Sequence, residues 1–452
     1  MELTERKPPM FTNKALAALV IPIILDSILG IVAGVVDSAM VSSAGEAAVS
    51  AVSLVDTINL LFIAMFSGIS SGGSVVTSQY VGKKDHKQAC VSANQILYLA
   101  TAVATGFMVM LLCLHKPLLR LVYKDLAPDV FQNACTYFLF TLLGYPFFAM
   151  GTSAGAVLRS MGRNRQAVSI SVAYNILNMI GNAVLIYGFH MGVAGAAIST
   201  TCSRMVYAAL GLWLAHNKSL PAHFGNLLKI KVDKDVLGRV IRIGISAGTE
   251  NGLFHVGKIL ISSLLSTFGT VAIAAYSAAY TLNNIGWTVI GSFGIALLPV
   301  VGQCVGAGEL EQAKRNIKKV VGAATVVMLV LCSAIFFLRN TLVQIYDFEQ
   351  ETLELSARYT GVGAGAALLS LYSFSFVPAN GFRAAGEVRF TMIFSVVSMF
   401  VFRVGLCYVV NALFPTAGPL CLYIGMWADW TCRTVVSMIR YRSGRWLRMR
   451  VI

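Results

Sequence analysis

Residues Gln79-Tyr-Val-Gly-Lys-Lys-Asp-His-Lys-Gln-Ala89 are matched 224 positions later by Gln303-Cys-Val-Gly-Ala-Gly-Glu-Leu-Glu-Gln-Ala313, and each stretch leaves an apolar run for a polar connection. The same shift carries Arg159-x-x-Gly162-x-x-Arg165 onto Arg383-x-x-Gly386-x-x-Arg389. Between Gly45 and Ala89, 12 of 45 positions are identical at this offset, where unrelated apolar sequence would give about four. The chain is therefore two copies of one unit. Repeats of this size in an apolar chain are a transporter device, with sites at the repeat interface. Under the same shift Asp26 falls on Glu250, so each copy carries a carboxylate at one equivalent place.

The composition around the repeat identifies the solvent. Of 452 residues, 57% are hydrophobic and 12% charged, about half the charged fraction of a soluble domain. Mean hydropathy is +0.73. Such a chain cannot cover its apolar core with a solvated surface and needs a bilayer. Twelve runs are long enough to cross ~30 Å of hydrocarbon, near residues 15–40, 53–79, 92–114, 131–157, 166–189, 193–215, 238–266, 273–302, 318–338, 355–381, 389–412 and 419–440. Their length and uniform apolarity exclude an outer-membrane barrel, whose strands alternate over about ten residues. The first run has no small-residue cleavage site and reads as a retained helix.

The fold class expected is an all-α polytopic membrane protein with twelve helices in two six-helix bundles. Residues 1–215 form the N-terminal bundle, 216–237 a cytoplasmic linker, and 238–452 the C-terminal bundle with a basic tail. Because each half holds an even number of spans, the repeat is parallel and its pseudo-two-fold axis runs along the membrane normal. The net charge of +15 lies in short clusters between apolar runs, which sets topology rather than binding nucleic acid. With the N-terminus in the cytoplasm, 26 Lys and Arg fall in inner segments and 4 in outer loops, Lys116, Arg120, Lys124 and Arg339. Both termini are expected on the cytoplasmic side of a bacterial inner membrane. The nine cysteines form no C-x-x-C pair and read as small buried hydrophobes.

The charges inside the runs carry the functional signal. An intramembrane carboxylate costs several kcal/mol and is retained for a pathway, a pairing or a proton relay. Asp26 lies ~16 Å into its helix and Asp37 about three turns further on, only ~20° around the axis, so the two share one face. Gly30, Ala33 and Gly34 lie between them, admitting either close packing or water and a solute. The helix at 238–266 holds Glu250 beside a stripe of Asn251, His255 and Lys258. Glu250 and Lys258 are ~12 Å apart along the axis, so Lys258 pairs across helices or snorkels, while His255 is a relay candidate or a structural histidine. Asn175, Asn178 and Asn182 form an amide ladder on one face. Arg204, Arg403 and Arg433 need partners and read as structural pairs. No spacing supplies a metal site, and no phosphate-binding loop or nucleophile elbow appears. The reading is no enzyme, no metal and no cofactor.

The motifs resemble the multidrug and toxic compound extrusion (MATE) transporters, in their bacterial NorM-like and DinF-like branches, from about Pro22 to Trp446. The matching pieces are Pro22 with Val-Asp37-Ser-Ala-Met-Val and Gly45-Glu-Ala-Ala; Ser-Gln79-Tyr-Val-Gly; Leu-Arg159-Ser-Met-Gly162; Gly192-Val-Ala-Gly-Ala-Ala; Glu250-Asn-Gly-Leu-Phe; Val-Gly-Gln303-Cys-Val-Gly-Ala-Gly; Asn380-Gly-Phe-Arg383-Ala-Ala-Gly; and Asp429-Trp430 before Ser443-Gly-Arg-Trp. The resemblance implies two bundles around a central cleft and export of cationic, amphipathic compounds driven by protons or sodium. The family's N-terminal cation-linked cluster corresponds to Asp37, Asn178, Asn182 and Thr200. Asn182 is an amide where that pattern has a carboxylate, which removes one charge. Glu250 matches the family's helix 7 Glu, but the helix 10 Asp of NorM-type members is missing, with only Tyr372, Ser373 and Ser375 nearby.

The function expected is alternating-access antiport, with Asp26, Asp37 and Glu250 exchanging a cationic small molecule for a proton or sodium ion. The partners expected are that small molecule and the bilayer, and the chain is taken as a monomer. The alternative is a lipid-linked precursor flippase of related architecture. Its anionic cargo favours a cleft lined by several Arg or Lys, whereas deep basic residues are few here. A channel or receptor would need a filter or sensor domain that the sequence lacks.

Overall fold

A computed structural model describes residues 8–123, 127–225, 231–346, 348–449 and 451–452. Lys124, Arg6, Lys7, Arg450 and residues 226–230 of the expected linker lie outside them. The described residues contain helices and no strand. The first half comprises α1 (Asn13–Ser42), α2 (Glu46–Gly82), α3 (His86–Val122), α4 (Pro128–Leu143), α5 (Tyr145–Ser160), α6 (Asn164–Asn182) and α7 (Gly192–Ala215). The second comprises α8 (Lys234–Leu265), α9 (Thr270–Gly306), α10 (Leu310–Leu342), α11 (Gln350–Leu369), α12 (Tyr372–Ala384), α13 (Val388–Val397), α14 (Leu406–Leu413) and α15 (Leu420–Ser443).

These helices build twelve spans. Among the described residues seven helices are long and apolar enough to cross a membrane singly, and nine spans qualify when two bent pairs are counted. The polar-bearing α7, α8 and α15 complete the set. The bent pairs are the fourth span of each half: α4 meets α5 at 46°, and α11 meets α12 at 54°. Pro146 opens α5, where its missing N–H is harmless. Leu371, in left-handed conformation, opens α12. In the fifth spans a π-helical segment follows α6 (Ala183–Gly188) and another joins α13 to α14 (Ser398–Gly405). Such widened turns occur often at functional sites.

The repeat is visible in the backbone. Gly45 and Gly269 start α2 and α9 with φ of 100° and 87°, and Lys84 and Gly308 take φ of 62° and 76° at the matching turns. Side-chain caps stop the fraying of exposed helix starts: Thr12 accepts from the Ala15 N–H, Asp85 from Gln88, and Asp233 from Asp235 and Val236. The lipid-facing side of α1 is apolar and open, with Ile21, Leu25, Val32 and Val35 exposed, as expected where hydrocarbon is the solvent.

The described part of the linker packs against the first half. Phe224 is fully buried and returns a backbone bond to Ala215, and the Gln95 amide donates to the Lys231 carbonyl at 2.8 Å. His223 donates its backbone N–H to Cys90 Sγ at 3.4 Å. Burial pushes the Cys90 thiol up, with the His223 bond acting in the opposite direction.

Candidate functional site

The halves meet where small residues let backbones approach. Gly68 and Gly72 of α2 lie against Ala247, Gly248 and Gly244 of α8, and Gly252 lies against Met65, so no larger side chain fits along this seam. The equivalent seam joins α1 to α9, where the Ser27 and Ser292 hydroxyls bond at 3.0 Å. It is looser, because Gly30 and Gly34 have nothing within 4 Å of an added Cβ.

At the end where α2 and α9 finish, the contact is reciprocal. Gln79 Nε2 donates to the Ala384 carbonyl at 2.8 Å, and Gln303 Nε2 donates to the Ser160 carbonyl at 2.8 Å. Both donors and both acceptors are related by the 224-residue shift. Between them Gly82 backs onto the Gln303 backbone and Gly306 onto the Gln79 backbone. These two pairs close one face of the molecule and explain why the repeated motif begins with glutamine and contains glycine.

Above this closure lies a cavity of about 590 Å³ with walls from both halves. Asp26, Arg159 and Asn175 reach it from the first half, and Asn251, Asn380 and Arg383 from the second. Asp26 Oδ1 has no hydrogen-bond partner, and the Arg159 charge acts on it across the cavity wall. Glu250, 7% exposed, forms an ion pair with Arg383. Asp26 and Arg159 are thus mirrored, under the 224-residue shift, by Glu250 and Arg383. Of the four, Asp26, Arg159 and Arg383 line the cavity, and Glu250 pairs with Arg383 outside its lining.

The second acidic site of the first half lies further along α1. Asn182 Nδ2 donates to Asp37 Oδ1 at 2.9 Å. A carboxylate can only accept, so the Asn178 amide turns its nitrogen toward both Asp37 oxygens, at 3.3 and 2.9 Å, and its oxygen accepts from the Thr200 hydroxyl at 3.3 Å. These four expected residues are together. Helices α1 and α6 run parallel in constant register: Asn164 donates to the Leu19 carbonyl, Ser171 bonds Asp26, and Asn182 bonds Asp37, each pair 145 residues apart. The site therefore forms a column along one helix pair, with Asn175 at the cavity end and Asn182 entering the π-helical turn.

The other candidates of the second half separate. Asn251 stays in the central cavity and donates to the Ala64 carbonyl at 3.4 Å. Lys258 lines a different cavity and lies 5.3 and 5.9 Å from the Phe254 and Tyr280 ring centres. His255, one turn before it, lines neither cavity. Tyr372 is buried among Trp287, Trp430 and Phe376 in an aromatic core rather than at the central cavity. Arg433 Nε bonds Asp429 Oδ1 at 2.7 Å and Arg403 approaches Oδ2 at 3.6 Å. Arg204 donates to the Thr141 carbonyl at 3.0 Å.

The model of one protein family, MatE, matches residues 22–184 and again 247–409, each copy spanning one half as the repeat requires. The chain belongs to the MatE family. Among curated relatives of this MatE chain, the "Uncharacterized transporter YisQ" of Bacillus subtilis is 25% identical over 98% of this chain and 97% of its own length. The "Multidrug export protein MepA" of Staphylococcus aureus is 22% identical over 91% and 90%. Among solved structures, a MOP superfamily transporter from Pyrococcus furiosus superposes with a TM-score of 0.88 at 19% identity, covering 97% of both chains. One titled an outward-facing conformation of a multidrug resistance MATE family transporter gives 0.87 at 20% identity, over 95% of both. The twelve helices and two repeats expected from the sequence are those of the MatE fold, and the chain is a multi-pass membrane protein.

Four charged groups of this MatE chain escape a reading by sequence. Arg159 and Arg383 count there as inner-loop cations, because they sit just before a turn glycine, yet both reach back into the cavity. Asp56 lies inside the second apolar run and accepts from Tyr137 at 3.2 Å and from Asn59 at 3.3 Å. The rule that singles out Asp26 applies to it equally. Asp429, fully buried, is marked in the sequence only as part of a motif.

Proposed function

We propose that the chain is an alternating-access antiporter that exports cationic, amphipathic small molecules in exchange for a proton or a sodium ion. The observation that carries this reading is Asp26, an acid with an unpartnered oxygen on the wall of a cavity shared by both halves. A cationic solute there gains a charge-assisted contact that a water-filled cavity lacks. Relatives named as multidrug proteins, MepA among them, support the substrate class.

The coupling residues divide by their partners. Glu250 already has the Arg383 guanidinium, so its charge is compensated and it positions Arg383 on the cavity wall. Asp26 and Asp37 are in no salt bridge among the described residues. They exchange the coupling ion, and Asn178, Asn182 and Thr200 orient Asp37 for it. With the reciprocal glutamine contact closed, the cavity is sealed on that face, which we assign to the cytoplasm together with both termini, in a bacterial plasma membrane. Binding of the coupling ion to the acids displaces the cation outward, and reopening of the Gln79 and Gln303 contact returns the cavity inward. Exchange of a monocation for one proton or sodium ion moves no net charge, so it is driven by the coupling ion's own concentration gradient, and each further ion carried inward adds about 2.3 kcal/mol per 100 mV. The chain acts as a monomer, performs no covalent chemistry and uses only the coupling ion.

The test imposes a pH gradient and a sodium gradient separately on proteoliposomes and follows efflux of a cationic dye. Efflux driven by one of the gradients in wild type, and lost in Asp26→Asn and Asp37→Asn, is the expected result. Wild-type rates in both variants would sink the carboxylate-coupled mechanism, and lipid movement without any gradient would favour a flippase.

A further inference from the structure

The second half contains a second cavity, of about 310 Å³, between α8, α9 and the π-helical segment Ser398–Gly405. It lies toward the end where α8 turns into α9, away from the Gln79 and Gln303 contact, and none of its lining residues lines the central cavity. Its polar lining is Lys258, Arg403 and five Ser, Thr and Tyr hydroxyls, with no carboxylate.

The charge there is only partly compensated. Arg403 is 5% exposed and its Nε–H has no acceptor. Its nearest carboxylate, Asp429, is shared: Oδ1 takes Arg433 Nε at 2.7 Å and the Ser398 hydroxyl, while Arg403 stands 3.6 Å from Oδ2. Among the described residues no carboxylate lies within salt-bridge distance of Lys258. Asp429 is therefore shared by two arginines, and Lys258 has no acid of its own among the described residues. Lys258 and Arg403 also approach one ring, at 5.3 and 5.5 Å from the centre of Phe254. Two like charges held near one ring in an apolar bundle repel each other. The ring attraction, about 0.5–2 kcal/mol for each cation, does not replace a counter-charge.

We propose that this cavity is a binding site for a small anion, a halide or the carboxylate of an organic acid, held between Lys258 and Arg403 with the tyrosine and serine hydroxyls completing its hydrogen bonds. The volume admits a single-ring acid. The site rests on neither the direction nor the coupling of transport, and it gives the second half a binding preference opposite in sign to that of Asp26.

The experiment uses the full chain in nanodiscs and follows its thermal unfolding midpoint against benzoate and against benzamide, the neutral isostere. Benzoate is expected to raise the midpoint saturably while benzamide does not, and Lys258→Met is expected to weaken the benzoate response at least tenfold, with Lys258→Arg restoring it. Lys258 is only partly buried, so its replacement spares the Asp429 network that Arg403→Gln would disturb. Chloride that moves the benzoate curve to higher concentration assigns the site to small anions at large, and a curve that chloride does not move assigns it to organic acids; both support the site. Equal responses to benzoate and benzamide, or an unchanged benzoate curve in Lys258→Met, would overturn it.

Discussion

The amide of Asn182 donates to Asp37 at 2.9 Å, where a carboxylate would have to accept. Two carboxylates at that spacing cannot both ionise unless a cation stands between them. Asn182→Asp should therefore make dye efflux respond to an imposed sodium gradient more strongly than in wild type, and the readout is efflux with sodium as the sole gradient. A second test concerns Glu250 and Arg383. Removing one partner of a part-buried ion pair leaves an uncompensated charge, whereas removing both leaves two neutral groups. Glu250→Gln should lower stability by up to about 3 kcal/mol, and Glu250→Gln with Arg383→Gln should recover most of it. Unfolding midpoints of the three proteins, read by intrinsic fluorescence, decide this. The acids were legible in the sequence because an Asp in an apolar run is rare. Their arginines were not, since a long side chain beside a turn looks like a topogenic loop charge until the fold shows it reaching inward.

At the scale of helices, the reciprocal contact depends on four residues: two glutamines that donate and two glycines that let the backbones meet. A net hydrogen bond contributes about 0.5–1.5 kcal/mol, and an orphaned buried carbonyl costs more. Gln79→Ala with Gln303→Ala should shift the population toward molecules open on this face. A cysteine placed at Ser160 in a background lacking the native cysteines should then be labelled faster by a polar maleimide. Gly82→Ala should have the same effect by a different cause, since its Cβ would overlap the Gln303 carbonyl. Labelling at the wild-type rate in both would show that this contact does not hold the face shut. Sequence periodicity located the spans but not their breaks. Pro146 was a visible signal for the first bend; the second, at Leu371, has no proline and arises from a left-handed leucine that no residue type announces. The column Leu19, Asp26, Asp37 against Asn164, Ser171, Asn182 was half legible. Spacings of seven and eleven residues place each set on one face, but only packing shows that the two faces meet.

For the whole molecule, the parallel repeat extends from motif to mechanism. One shift relates the closing glutamines, the turn glycines, and the acid and arginine positions beside the cavity. The two halves nevertheless differ in how their acids are paired. Asp26, Asp37 and Asp56 of the first half are in no salt bridge among the described residues, while Glu250, Glu387 and Asp429 of the second are ion-paired with arginines. The glutamine contact has a further consequence in terms of assembly. A surface whose donor meets the partner's acceptor, and whose acceptor meets the partner's donor, is isologous, the self-complementary kind found in two-fold dimers. The six-helix unit thus carries a patch that recognises its own copy in parallel orientation. The connection from Ala215 to Lys234 then does the work of concentration, tethering two subunits of a homodimer that have since diverged in how they pair their acids.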